Sequence, residues 1–124
     1  MKDHPRLPES ELDIMLVIWD LGDQAAAPAI LERLERPLTA SALHSYLKRL
    51  EDKGYLTCTK EGKTNRYIPL VSREEYQRQE GKTILGKLYK GSLKRFAAAL
   101  HDGGALDKSD VEELRAYLEE YLAT

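Results

Sequence analysis

The sequence is poor in cysteine, in long apolar runs and in surplus charge of one sign. The single cysteine, Cys58, excludes an intramolecular disulfide and argues against a structural zinc site built on thiolates. The longest fully apolar run, residues 14–19, is far shorter than the roughly 20 residues that a membrane-spanning helix needs. We therefore expect a cytoplasmic protein with no membrane insertion, no bound metal and no cofactor.

The charged side chains are unevenly distributed along the chain. The total of 19 basic against 21 acidic side chains argues against a nucleic-acid-binding protein. However, residues 1–35 carry a local net charge of −5, whereas residues 36–66 carry +4. Residues 82–95 add five basic side chains and no acidic one. Two basic blocks are therefore available for binding phosphate groups.

Helical periodicity and end signals predict two helices in the first 37 residues. Ser10 and Asp13 have the spacing of a capping box, which predicts the start of the first helix, and Gly22 predicts its end. Pro28 suits the first turn of a short second helix, and Pro37 is expected to close it.

A third helix is predicted with clearer signals. Thr39 is a favourable N-cap, and Lys53-Gly54 is a typical helix end. Between them the apolar side chains fall at i, i+3, i+4 and i+7, which defines a buried stripe: Leu43, Tyr46, Leu47 and Leu50. The opposite face is small and polar at first and basic later.

Two β-prone runs follow, residues 55–59 and 66–71, with a turn-rich basic tip at residues 61–65. Three helices followed by a hairpin are the arrangement of a winged helix-turn-helix. We therefore predict a mainly α fold with a β wing, in which residues 1–72 form a winged-helix domain.

Residues 73–124 are predicted to form a helical dimerisation region. Ser72 and Glu75 have capping-box spacing, and Gly81, Gly86 and Gly91 are candidate breaks in the helical pattern that follows. The apolar positions exceed what these helices can bury alone, which favours a second copy as partner. The candidate dimer contacts are Ile84, Leu85, Leu88, Tyr89, Phe96, Leu100, Val111, Leu114, Leu118 and Tyr121.

Several short motifs in this order resemble the penicillinase repressor family of the BlaI, MecI and CopY type. The resemblance covers nearly the whole chain, and its ordered set of motifs is more specific than any one of them. The motifs are Ser10-Glu11 with residues 12–19, residues 43–50 with residues 53–56, residues 60–63 with Arg66-Tyr67, residues 90–93, and the acidic, leucine-containing stretch 111–120.

This resemblance implies a homodimeric repressor that binds palindromic operators in double-stranded DNA, before genes for resistance or stress handling. It also assigns DNA contacts to the exposed face of the third helix and to the wing. We expect these contacts to come from Thr39, Ser41, His44, Ser45, Lys48, Lys60, Lys63 and Arg66.

The resemblance further implies two means of releasing DNA, and the sequence departs from both. Copper-responsive members carry cysteines near the C-terminus, but no cysteine follows Cys58. Antibiotic-responsive members are cleaved at an Asn-Phe bond by a membrane sensor protease, and the matching position holds Ala99-Leu100.

Two other functions remain open at this stage. One is a winged-helix protein-interaction module that does not bind DNA, and the other is a winged-helix regulator with a small-molecule pocket between its DNA-binding and dimerisation parts. No nucleophilic triad, phosphate-binding glycine loop or carboxylate pair stands out, so we expect a non-enzyme.

Overall fold

Three helices precede a two-stranded hairpin, and three further helices follow it. The computed structural model describes residues 4–123. The elements in chain order are α1 (Glu9–Leu21), a 3-10 turn (Gly22–Gln24), α2 (Ala27–Arg33), α3 (Ala40–Asp52), β1 (Leu56–Glu61), β2 (Thr64–Pro69), α4 (Arg73–Tyr89), α5 (Leu93–Asp102) and α6 (Lys108–Ala123). This order confirms the mainly helical architecture with a β wing.

The first helix begins earlier than predicted. Pro8 occupies the N-cap position with an extended backbone, and its carbonyl accepts a hydrogen bond from the amide of Leu12 at 2.9 Å. The predicted Ser10–Asp13 capping box is therefore wrong, because the fixed φ of proline already suits the boundary two residues earlier. Gly22 ends the helix with a φ of 57°, as predicted.

The second helix ends before Pro37. Leu34 already has an extended backbone, with φ −69° and ψ 129°, so α2 stops at Arg33. The early exit allows Leu34 and Leu38 to pack against the core from the segment that joins α2 to α3. The predicted closure at Pro37 is therefore wrong.

The third helix matches its prediction closely. The Thr39 side chain accepts a hydrogen bond from the Ala42 amide at 3.0 Å, and Lys53 is the C-cap. Leu43, Leu47 and Leu50 are buried, whereas the fourth member of the predicted stripe is only half-buried.

The hairpin has a tighter turn than predicted. Gly62 and Lys63 alone form it, and Gly62 has a φ of 62°, which glycine adopts without steric cost. The strands pair antiparallel, with Thr59 opposite Arg66. A bridge between Ala26 and Arg66 extends the pairing beyond β2 to the segment before α2.

A single apolar core joins the first three helices, the hairpin and the start of α4. Its largest fully buried side chains are Ile14, Met15, Ile18, Ile30, Leu43, Leu47, Leu50, Tyr55, Leu56 and Val71. Burial raises the pKa of Tyr55 to about 12, so its hydroxyl stays protonated and donates to the Pro5 carbonyl. The side-chain amide of Gln79 exchanges two hydrogen bonds with the backbone of His4, at 2.8 and 2.6 Å, which fastens the N-terminal segment to α4.

The helices after the hairpin are more continuous than the glycines predict. Ser72 and Glu75 form the predicted capping box, with bonds of 3.2 and 3.1 Å. Gly81 and Gly86 lie inside α4, and the helix breaks only at Lys90 and Gly91, which both have positive φ. The chain divides into two compact units, Met1–Glu80 and Gly81–Thr124, and the division falls within α4.

A buried ion pair connects α1 to the end of α3. Glu11 is only 3% exposed and is the one charged side chain among the described residues that is classed as buried. Lys53 Nζ lies 2.5 Å from Glu11 Oε1. The Glu11 carboxylate is shielded from water while the Lys53 side chain is 29% exposed, so it is the Glu11 charge that depends on its partner for compensation.

Replacing Lys53 should therefore cost much more stability than replacing an exposed partner. We expect Lys53→Met to lower the free energy of unfolding by about 3 kcal/mol, because the Glu11 carboxylate is left buried and unpaired. Arg36→Met is the control, because it breaks an exposed pair with Glu9 and should cost less than about 1 kcal/mol. Urea denaturation of both variants measures the difference, and equal losses would contradict the argument.

Candidate nucleic-acid interface

The solvent-facing side of α3 carries a continuous polar surface. The four predicted contacts on this helix are all exposed and recur at i, i+3, i+4 and i+7, which places them on one face opposite the buried leucines. We call this surface the outer face of α3: Ser41, His44, Ser45 and Lys48. A helix of this kind fits the major groove of B-form DNA, where side chains can reach base edges.

The side chains of the outer face differ in whether they already have a polar partner within the protein. The Ser45 hydroxyl donates to the carbonyl of Ser41 at 3.3 Å, one turn earlier on the same helix. Lys48 Nζ lies 3.5 Å from a carboxylate oxygen of Asp52, and both side chains are largely exposed. Such an exposed pair is weak, so Lys48 can exchange Asp52 for a phosphate at little cost.

Thr39 has a structural task at the start of the same helix. Its hydroxyl oxygen accepts from the Ala42 amide, which satisfies one of the free N–H groups of the first turn. Thr39 is exposed, but its side-chain acceptor is already engaged. Thr39 is thus the cap of α3, and its role as a DNA contact stays a prediction.

The wing distributes its basic side chains over both faces. Side chains alternate along a strand, and Thr59 pairs with Arg66 while Lys60 pairs with Asn65. Lys60 and Arg66 consequently point to opposite faces of the hairpin. Lys63 is exposed in the turn itself.

Arg66 is the most restrained of the predicted wing contacts. It is half-buried, and its guanidinium lies 3.0 Å from a carboxylate oxygen of Glu61 on the same face. Asn65 was assigned by the sequence to the turn, but the register places it beside Lys60 as an exposed polar group. The two-residue glycine turn is the signal that would have located it.

One further cation on α3, Arg49, was not predicted as a contact. The Arg49 guanidinium lies 5.5 Å from the centre of the Tyr46 ring, an ordinary cation–π distance. Arg49 is exposed, so the half-buried ring limits its orientation while leaving its polar edge in solvent.

The fold and this surface define a winged helix-turn-helix module with a polar recognition helix and a basic wing. The sequence model described as penicillinase repressor matches residues 7–120. The chain therefore belongs to the penicillinase repressor family.

Relatives of known identity match over nearly the same range. The chain is 28% identical over 123 residues to the penicillinase repressor of Bacillus licheniformis, covering 98% of this chain and 95% of that one. It is 25% identical over 114 residues to the methicillin resistance regulatory protein MecI of Mammaliicoccus sciuri, covering 90% and 92%. A solution structure of monomeric Bacillus licheniformis BlaI with the blaP half-operator aligns with a TM-score of 0.52 and 28% identity, covering 61% of this chain and 94% of that one.

Within residues 4–123, no helix is long and apolar enough to cross a membrane. No group of three or more His, Cys, Asp or Glu side chains in the same range is arranged to hold a metal ion.

The cap at Thr39 yields a stability prediction that is independent of any ligand. We expect Thr39→Ala to lower the free energy of unfolding by about 1 kcal/mol, because an amide of the first turn of α3 loses its acceptor. Thr39→Ser keeps a hydroxyl oxygen and should be nearly neutral, as should Ser41→Ala on the outer face. Thermal or urea unfolding distinguishes them, and a neutral Thr39→Ala would disprove the role of the cap.

Proposed function

We propose that this protein is a transcriptional repressor that binds palindromic operators in double-stranded DNA as a homodimer. The observation that carries the proposal is the exposed polar and basic outer face of α3, followed by a basic wing. Membership of the penicillinase repressor family supports it, as does the alignment with BlaI, a protein whose structure includes half-operator DNA.

In the proposed complex, α3 enters the major groove. The small polar residues Ser41, His44 and Ser45 lie in the first half of the helix, where base edges are within reach. Lys48 lies a turn further along and suits a phosphate of the flanking backbone. Lys60, Lys63 and Arg66 extend the basic surface to the wing.

The C-terminal unit supports the dimer. None of the described residues of Gly81–Thr124 is buried, although its helices carry many apolar side chains. Among the predicted contacts, Leu88 is 70% exposed and Tyr121 is 67% exposed. Val111, Leu114 and Leu118 are also exposed, whereas Ile84, Leu85, Tyr89, Phe96 and Leu100 are half-buried. A second copy would remove this apolar surface from water.

Release of the operator by a membrane sensor protease is part of the proposal, with Ala99–Leu100 as the candidate bond. Both residues lie inside α5, where the Ala99 carbonyl accepts from Gly103 and the Leu100 carbonyl accepts from Ala105. A protease needs an extended substrate, so cleavage at this bond requires local unfolding of the end of α5. Control of resistance or stress genes follows from the family and belongs to the same proposal.

Removing the cations should weaken operator binding in a salt-dependent way. We expect Lys48→Ala and Lys63→Ala each to lower affinity for a selected operator roughly tenfold, and each to reduce the slope of log affinity against log salt by about one. Arg78→Ala is the control, because it removes an exposed cation on α4 outside the proposed interface. Gel-shift titration at several salt concentrations measures both quantities.

An unchanged affinity in the Lys48→Ala, Lys63→Ala double variant would overturn the proposed interface. If the unmodified protein shows no salt-sensitive affinity for any sequence selected from random DNA while remaining dimeric, the protein-interaction module is the better description.

Charged substitutions in the C-terminal unit should dissociate the dimer. We expect Leu88→Asp and Leu118→Asp to yield monomers by sedimentation, because a carboxylate would have to be buried without a partner. Ser109→Asp introduces the same charge in the first turn of α6, where it suits the helix dipole, and should stay dimeric. If both leucine variants also stay dimeric, the dimer contacts lie elsewhere.

A further inference from the structure

A groove lies between α1 and the segment that joins α2 to α3. Its volume is about 410 Å³, within the range of pockets that hold small organic molecules. We call it the α1 groove, and the lining residues that matter here are Asp13, Ile14, Val17, Leu34, Glu35 and Leu38. Four of these six side chains are apolar, so the groove can remove a hydrocarbon surface from water.

Two of the acidic side chains along the groove are already neutralised. Glu9 pairs with Arg36 at 3.1 Å, from one wall to the other. Asp20 pairs with Arg73 at the far end of α1. These pairs leave the ends of the groove with little net charge.

The unbalanced charge lies between these ends and is negative. Asp13 is half-buried beside the apolar lining, and within residues 4–123 it forms neither a hydrogen bond nor an ion pair. Glu35 is exposed and likewise has no partner in that range, while Arg33 is the one lining cation left unpaired. An unpaired carboxylate next to an apolar surface favours a ligand that brings both a positive charge and hydrocarbon.

We propose that the α1 groove binds a small cationic amphiphile, with its ammonium or amidinium group on Asp13 and its apolar part on Leu34 and Leu38. The volume favours a molecule of this size over a protein segment. The groove lies within the unit Met1–Glu80 and shares no lining residue with the outer face of α3, so the proposal does not depend on DNA binding. The segment that joins α2 to α3 forms one side of the groove and continues into Thr39, the N-cap of α3. A bound ligand would therefore touch the residues that directly precede α3.

A matched set of probes tests the charge preference. 4-Phenylbutylammonium, 4-phenylbutanol and 4-phenylbutanoate share one apolar body and differ in the charge of the head group. We expect the ammonium to bind at least roughly tenfold more tightly than the alcohol, and the carboxylate most weakly, because only the ammonium brings a positive charge to the Asp13 carboxylate and the carboxylate probe is repelled by it. Calorimetry measures the affinities, and amide chemical shifts should change along residues 9–20 and 33–38.

Variants of Asp13 and of a matched acid complete the test. Asp13→Asn keeps the shape and should reduce the affinity for the ammonium to that of the alcohol, whereas Glu32→Gln, outside the groove, should leave it unchanged. Equal affinity of the unmodified protein for the three probes would overturn the proposal, as would shifts confined to other residues. The shift map is measured on the unmodified protein, so the test stands even if Asp13→Asn fails to fold.

Discussion

The buried ion pair between Glu11 and Lys53 is the contact on which the placement of α3 depends. Apolar packing is non-directional, so the leucines of α3 alone would tolerate small rotations of the helix against α1. The ion pair does not tolerate them, because separating Lys53 from Glu11 would leave a charge in a dry environment. Lys53 is also the C-cap of α3, while Thr39 holds its other end. The ion pair therefore fixes the C-terminal end of α3 against α1, and the cap at Thr39 determines where the helix begins.

The sequence predicted best where several local signals agree. In α3 the N-cap, the helix end and the apolar spacing all indicate the same boundaries, and the structure has them. At α1 a favourable capping pattern at Ser10 competed with Pro8, and the proline determined the start. The faces of Lys60 and Arg66 could not be predicted, because a change of one residue in the turn reverses every side chain of a strand. The Glu11–Lys53 pair joins residues that are far apart in sequence, so no local sequence pattern predicts it.

The fold determines which basic side chains lie on the proposed interface and which of them have acidic partners. The basic block of residues 36–66 covers α3 and the wing, but two of its cations that are predicted to contact DNA are engaged by neighbouring acids: Lys48 by Asp52 and Arg66 by Glu61. Both pairs are at least partly exposed, so their strength falls with salt and with competition from phosphate. The acidic remainder of the chain repels DNA in general. Affinity for an operator would consequently rest on a few cations and on the spacing of two copies.

The unit Gly81–Thr124 shows why dimer formation and folding belong to one equilibrium in the proposed repressor. Its helices have good local signals, including a cap at Ser92 and reciprocal bonds between Asp107 and Asp110. Helices as short as α5 and α6 are nevertheless marginal without burial of an apolar face, and no described side chain of this unit is buried. A second copy would supply that burial, so its loss would unfold the helices as well as separate the subunits. Local unfolding of α5 would then lower operator affinity without any change in α3, because both half-sites would no longer be bound by one particle.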